Sequence, residues 1–250
     1  MNPETQDGLE RAFPFYVVCD VSQSMWKEGV YKPAPAAEGT SGRTPYDALR
    51  EAVPDLLWKL EVDTTTSEAA HISIVTFAQD AQTFLPLTRP EEVQDLGELP
   101  KGAQTDFAKV FAHLATIIQA DCAALEREYA LKRPAVFFLT DGDPYVGSAR
   151  QPDDRWLPER DRLAQLPYEP QIVAFGFGNI RPATLLRMAT TTTLRDGTTR
   201  SLAFTAEEGT PVSTLVEGLI GTLFVTIGAS VSGNGLDVRV PEGMRWLTAS

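Results

Sequence analysis

Two patterns of apolar and polar positions alternate along this chain. Short, nearly continuous apolar runs occur at Phe15 to Cys19, His71 to Phe77, Ala135 to Thr140 and Gln171 to Phe177. Between them lie longer stretches in which apolar residues recur every three or four positions. Unbroken apolar runs of this length belong to strands buried on both faces, and the spaced pattern belongs to helices with one face covered. The pattern predicts strands at those four runs and a weaker one at Arg200 to Phe204. Gln82 to Leu85 follows Asp80 too closely for a crossover, so it is predicted as an antiparallel edge strand. Helices are predicted at Pro45 to Leu60, Asp106 to Tyr129, Arg181 to Met188 and Pro211 to Gly228. Thr44 stands where a helix cap belongs, and Pro45 suits a first turn. Alternating strands and helices give a Rossmann-like three-layer α/β/α fold with a mostly parallel sheet.

Two polar stretches are predicted as loops at one rim of that sheet: Glu28 to Arg43, rich in Gly, Pro, Ala and Ser, and Asp143 to Pro158. The chain divides into an N-terminal polar segment (1–12), one α/β domain (13–229) and a C-terminal piece (230–250) that is either a tail or an added edge strand. Leu215 to Ala229 is the most apolar late segment. Interrupted by Glu217, Gly218 and Gly221, it is expected to be a buried or half-buried helix rather than a membrane span. The first residues lack the basic-then-apolar order of a secretory signal, so the expected location is cytoplasmic.

With 250 residues, 43% of them hydrophobic, the chain can bury a sizeable core. Its 22 basic and 34 acidic residues leave a net charge of −12, which argues against nucleic acid and anionic membranes as partners. The two cysteines, Cys19 and Cys122, have neither zinc-site spacing nor disulfide density, and both are expected to be reduced packing residues.

The candidate chemistry sits where strands end. After Phe15 to Cys19 come Asp20, Ser22 and Ser24, whose alternation turns one carboxylate and two hydroxyls to one side of an extended turn. A later strand ends in Thr140-Asp141-Gly142-Asp143, and Gln104-Thr105-Asp106 opens a helix. In a parallel sheet these three segments converge outside the carboxyl ends of the strands, where ligands bind in open α/β folds. Oxygen donors of this kind suit a hard divalent cation, and neutral hydroxyls leave that cation enough charge to attract another carboxylate. Gly102 and Gly142 are expected to permit close backbone approach.

DVSQS, Thr105 and the TDG of Thr140 to Gly142 together resemble the metal-ion-dependent adhesion site (MIDAS) of von Willebrand factor A (vWA) domains, over most of the chain from about Phe13 to Gly228. The resemblance implies a six-stranded sheet with one antiparallel edge. It also implies a metal held by Asp20, Ser22, Ser24, Thr105 and Asp141: Mg²⁺, with Mn²⁺ as an alternative. Asp20 and Asp141 would act directly or through water, and a partner's Asp or Glu would complete the shell. PFYVVCDVSQSM, GAQTDF, TDGDP, VAFGFG and FVTIGASVSGN are similar to bacterial vWA proteins of the tellurite-resistance type, the TerY-like group. That narrower likeness implies a stress-response adaptor working beside a phosphatase or kinase, and not an enzyme. The chain departs from the pattern at Gln23, where many relatives have Gly, and in the length of Glu28 to Arg43.

Simpler readings stand beside these. Ser22 and Ser24 are also typical capping or turn hydroxyls, and Asp106 is a typical first-turn acid. Asp143 is either a group that tunes the field of the site or a solvated loop acid. Trp26, Tyr145 and Trp156 either form an aromatic contact patch or pack the loops down. His71 and His113 lack companions at ligand spacing. A Mg²⁺-dependent phosphotransferase or phosphatase with Asp20 as nucleophile is the competing chemistry. It is weakened by Ser22 at the position two beyond and by the lack of a strand-end lysine, Lys101 being the nearest. A metal-free scaffold binding through its rim loops is the third reading.

Overall fold

β1 (Arg11–Asp20) opens the fold and leads into one helical turn, α1 (Gln23–Trp26), then α2 (Pro45–Val62) and the short α3 (Thr64–Ser67). β2 (Ala70–Phe77), β3 (Ala81–Thr88), a 3₁₀ turn at Pro90–Glu92 and α4 (Phe107–Leu125) follow. Next come β4 (Ala130–Leu131), β5 (Ala135–Thr140), a hairpin of β6 (Tyr145–Val146) and β7 (Ala149–Arg150), and α5 (Asp153–Ala164). The chain continues through β8 (Gln171–Gly176), α6 (Pro182–Met188), β9 (Thr191–Thr193), β10 (Thr199–Ser201), β11 (Ala203–Ala206), α7 (Val212–Gly233) and β12 (Met244–Trp246). This computed structural model describes residues 9–27, 43–193, 197–208, 210, 212–233 and 235–248. The predicted Glu28 to Arg43 loop lies outside the described residues except for Arg43.

The main sheet runs β12-β11-β8-β5-β1-β2-β3, with β4 extending the start of β1. From β11 to β2 every pairing is parallel. β3 is antiparallel to β2, as Gln82 to Leu85 predicted. β12 is antiparallel to β11 at the other edge, so the C-terminal piece supplies an added strand. β2, β5 and β8 are buried at every residue and β1 from Ala12 onward, which requires cover on both faces and explains their unbroken apolar sequences. The run Arg200 to Phe204 is divided: β10 pairs with β9 outside the main sheet, while β11 joins β8.

Phe77, Phe107 and Phe111 surround Phe138 of β5, with ring centroids 4.9, 5.5 and 5.4 Å away. Trp156 of α5 stacks on Phe111 at 5.9 Å and is fully buried. The other side chains of the strands form a row from Phe15 through Phe137 and Phe175 to Phe204. These two clusters hold the carboxyl ends of β1 and β5 rigidly side by side, in the register Cys19 to Leu139.

Three expectations are corrected. Asp143 to Pro158 is not a loop: it contains the β6–β7 hairpin and the first half of α5. Only Trp156 and Leu163 of α5 are buried, so its apolar stripe is too thin to read, and Pro158 sits inside the helix. α4 stops at Leu125 rather than Tyr129, and Asp106 lies outside it as the N-cap. α7 reaches Gly233, and Leu215–Gly233, like Phe107–Leu125, is long and apolar enough by length and composition to cross a membrane. Here both are core helices: α7 packs on α2 and α3 and buries Leu215, Leu219, Leu223 and Ile227, while α4 packs on α5.

Candidate metal centre

The chain moves from β1 to β2 on one side of the sheet, whereas β5 lies on the other side of β1. The strand order therefore reverses between β1 and β5, and their carboxyl ends form the crevice where open α/β sheets bind ligands. Asp20 ends β1, and Asp141 directly follows β5. Both are buried, at 0% and 1% exposure.

The Asp20 carboxylate is held from two directions. Oδ1 accepts the Ser22 N–H at 2.9 Å and Oδ2 accepts the Thr140 hydroxyl at 2.7 Å. Ser22 occupies the N-cap of α1, yet its side chain makes no capping bond, so its hydroxyl is left for the crevice. It lies 3.2 Å from Ser24 Oγ, which donates to Asp141 Oδ1 at 2.8 Å. A continuous line of oxygens thus joins Ser22, Ser24 and Asp141, beside Asp20. Burial, and then the charge of Asp141, push the Asp20 carboxyl up to about 7, against the opposing pull of the Ser22 and Thr140 hydrogen bonds. The groups that favour its ionised form are hydroxyl and amide donors, not a basic side chain. Two buried carboxylates in each other's field, with hydroxyls beside them, fit a hard divalent cation in their donor chemistry. No trio of His, Cys, Asp and Glu gathers among the described residues, so any such ion would depend on the hydroxyls as ligands.

Thr105 reaches the same rim through its backbone. It pairs with Tyr145, N to O at 3.0 Å and O to N at 2.8 Å, which fastens the segment before α4 to the segment after Asp141. The Gly102 N–H donates to the Val21 carbonyl at 2.9 Å, fastening the same segment to the Ser22 turn. Thr105 is itself 6% exposed. Gly102 fulfils its expectation, since a Cβ there would stand 2.1 Å from the Ala78 Cβ; Gly142 does not, with nothing within 4 Å of that position.

Asp106 caps α4 by accepting from the Lys109 N–H at 3.1 Å. It also accepts from Gln151 Nε2 at 2.7 Å, while Gln151 Oε1 takes the Phe107 and Ala108 N–H groups at 3.1 and 3.3 Å. Asp106 is therefore a positioning acid. Asp143 is not a solvated loop acid: it pairs with Arg181 and Arg150 and accepts the Thr184 hydroxyl at 2.6 Å. Of the three aromatics, Trp156 is wholly buried and Tyr145 is 48% exposed. Trp26 is half-buried, its indole N–H donating to the Gly102 carbonyl at 3.0 Å. His113 meets Thr83 at 2.9 Å, and His71 packs edge-on to Tyr129. Cys19 and Cys122 are buried free thiols, both pushed up to about 12 chiefly by burial, and so unreactive.

From sequence Thr140 is read only as part of the TDG motif, with no role of its own, and Gln151 is not read at all. Thr140 reads as the last residue of an apolar strand, and nothing local marks its hydroxyl as facing Asp20. Gln151 acts across 45 positions on Asp106, a pairing that exists only in three dimensions.

No family model matches the chain, and no curated protein matches it. Solved structures do. A structure of proximal thread matrix protein 1 from the mussel byssus, described with a zinc-occupied MIDAS motif, aligns with a TM-score of 0.51 at 14% identity, covering 88% of this chain and 48% of that one. A von Willebrand factor type A structure from Catenulispora acidiphila gives 0.56 at 14% identity, covering 88% and 43%. The pilus adhesin SpaC of Lactobacillus rhamnosus GG gives 0.60 at 12%, covering 90% and 32%. The chain thus spans less than half the length of each of these three structures. At these identities the likeness concerns the fold, and this chain has the mixed α/β, Rossmann-like fold of von Willebrand factor type A domains.

Proposed function

We propose that this protein is a divalent-cation-dependent protein-binding module, which captures an Asp or Glu carboxylate of a partner at a MIDAS-type centre. The observation that carries the reading is the line of buried Ser22, half-buried Ser24 and buried Asp141 beside Asp20, at the switch point of the sheet. Ser22, Ser24 and Thr105 would offer hydroxyls, and Asp20 and Asp141 carboxylates, to Mg²⁺ or Mn²⁺. When bound, the cation supplies a positive centre that can accept an oxygen from outside the chain. The protein's own part is to fix that donor set. Thr140 and the Ser22 amide orient Asp20, and the Gly102 and Thr105 backbone bonds lock the three segments together.

The module is read as a non-catalytic adaptor in the cytoplasm, of the tellurite-resistance-associated stress-response type, working with a phosphatase or kinase. The sequence motifs support that assignment. Support for a binding role over phosphoryl transfer comes from the turn after β1, where Ser22 and not an acid stands two residues beyond Asp20.

The test is calorimetric titration of Mg²⁺ and Mn²⁺ into metal-stripped protein, wild type and Asp20→Ala, with and without a carboxylate-bearing peptide. Binding that strengthens with the peptide and disappears in the variant is the expected result. Undiminished peptide binding in EDTA would refute the metal bridge and favour a scaffold.

A further inference from the structure

On a chain of net charge −12, basic side chains stand beside both segments that form the candidate centre, the one leaving β1 and the one leaving β5. On the β1 side, Lys101 Nζ lies 4.6 Å from the centre of the Tyr46 ring and 5.6 Å from that of Trp26. Trp26 is two residues beyond Ser24, and its bond to the Gly102 carbonyl ties this clasp to the metal-side turn. Lys101 is exposed, so its ammonium, held over the two rings, is still reached from solvent. Asp47, which feels the charge of Lys101, is committed to the capping box with Thr44, and Glu98 acts on Tyr46.

On the β5 side, three arginines surround two carboxylates. Arg150 and Arg181 pair with Asp143, and Arg150 and Arg187 pair with Asp153. The arginine side chains remain 37%, 52% and 54% exposed, so the cluster keeps one net positive charge and guanidinium edges open to solvent. It begins two residues after Asp141 and includes the β6–β7 hairpin, whose Tyr145 is paired with Thr105.

Resting on the metal-bridge reading above, we propose that this rim selects an acidic segment of the partner, in which the bridging carboxylate is flanked on both sides by further Asp or Glu residues. A partner carrying one isolated carboxylate would meet only the cation, and the chain's net charge of −12 would repel an anionic body. A segment with flanking carboxylates places one set toward Lys101 and the other toward the Arg150–Arg181–Arg187 cluster. The basic rim thereby supplies both attraction and register, as complementary charge does at protein interfaces.

Two nine-residue peptides test this, identical except that one has a single central Asp among Gly and Ser, and the other has Glu pairs on both flanks. Binding is measured by fluorescence anisotropy with Mn²⁺ and with EDTA, at about 0.05 and 0.5 M salt. The expected result is that the flanked peptide binds about tenfold more tightly with Mn²⁺ at low salt, and that high salt erodes the preference. The double substitution Lys101→Gln with Arg181→Gln is expected to cut the ratio to below about threefold, while Lys101→Arg preserves it. Equal affinity of wild type for both peptides, with both lost in EDTA, would overturn the rim proposal and leave the metal centre standing. Failure of both peptides to bind with Mn²⁺ would overturn both readings. Retention of the flanked peptide in EDTA at full strength would overturn the bridge, and with it the proposal in this form.

Discussion

Thr140→Val probes the support of the buried carboxylate most directly. The substitution keeps the side chain's shape in the fully buried end of β5 and removes only the hydroxyl that donates to Asp20 Oδ2 at 2.7 Å. A hydrogen bond to a charged group contributes about 1.5–3 kcal/mol, and one to a neutral group about 1 kcal/mol. The loss therefore depends on whether Asp20 is ionised. In metal-free protein its carboxyl is raised from the ordinary 3.8 to about 7 by burial and by Asp141. The sign follows from which state holds the proton. Between those values the folded chain keeps a proton that the unfolded chain has released, so this group's stabilising effect is full below about pH 4 and is lost as pH rises toward 7. At pH 8 Asp20 is ionised in the fold and depends on Thr140; at pH 5 it is largely protonated and depends on it less. Urea unfolding in EDTA at both pH values should show Thr140→Val destabilised by about 2–3 kcal/mol at pH 8 and about 1 kcal/mol at pH 5. Equal losses at the two pH values, or a larger one at pH 5, would refute the claim that the hydroxyl supports the ionised form.

Asp20→Asn should make metal-free protein more stable than wild type at pH 8 while eliminating its stabilisation by Mg²⁺, which thermal melts with and without the ion will read; a destabilised variant at pH 8 in EDTA would count against a strained carboxylate pair. Gly102→Ala should cost roughly 1–3 kcal/mol by overpacking against Ala78, and Gly142→Ala should be near neutral, a contrast that denaturant midpoints can check. Gln151→Ala should cost about 1–3 kcal/mol, because the buried Asp106 carboxylate and the first amides of α4 lose their partner. Amide exchange should then quicken at Phe107 and Ala108, and unchanged protection there would deny Gln151 its positioning role.

The sequence by itself determined the layer order and the chemistry available. Unbroken apolar runs bounded by polar turns read as strands covered on both faces, and each of the two central ones ends next to a carboxylate, Asp20 or Asp141, because an ionisable group costs most inside a strand covered on both faces. Thr44 with Asp47 forms the capping box that starts α2, where the sequence placed that start, since capping is a contact between near neighbours. The sequence left open what depends on contacts between distant residues. α5 escaped notice because only two of its residues are buried, and its stability comes from Trp156 meeting Phe107 and Phe111. Whether Asp143 was solvated was decided by arginines from two other segments. The C-terminal choice between tail and strand was settled by the free edge of β11. The basic rim arises only when Lys101, Arg150 and Arg181, scattered through an acidic chain, are brought to one end of the sheet.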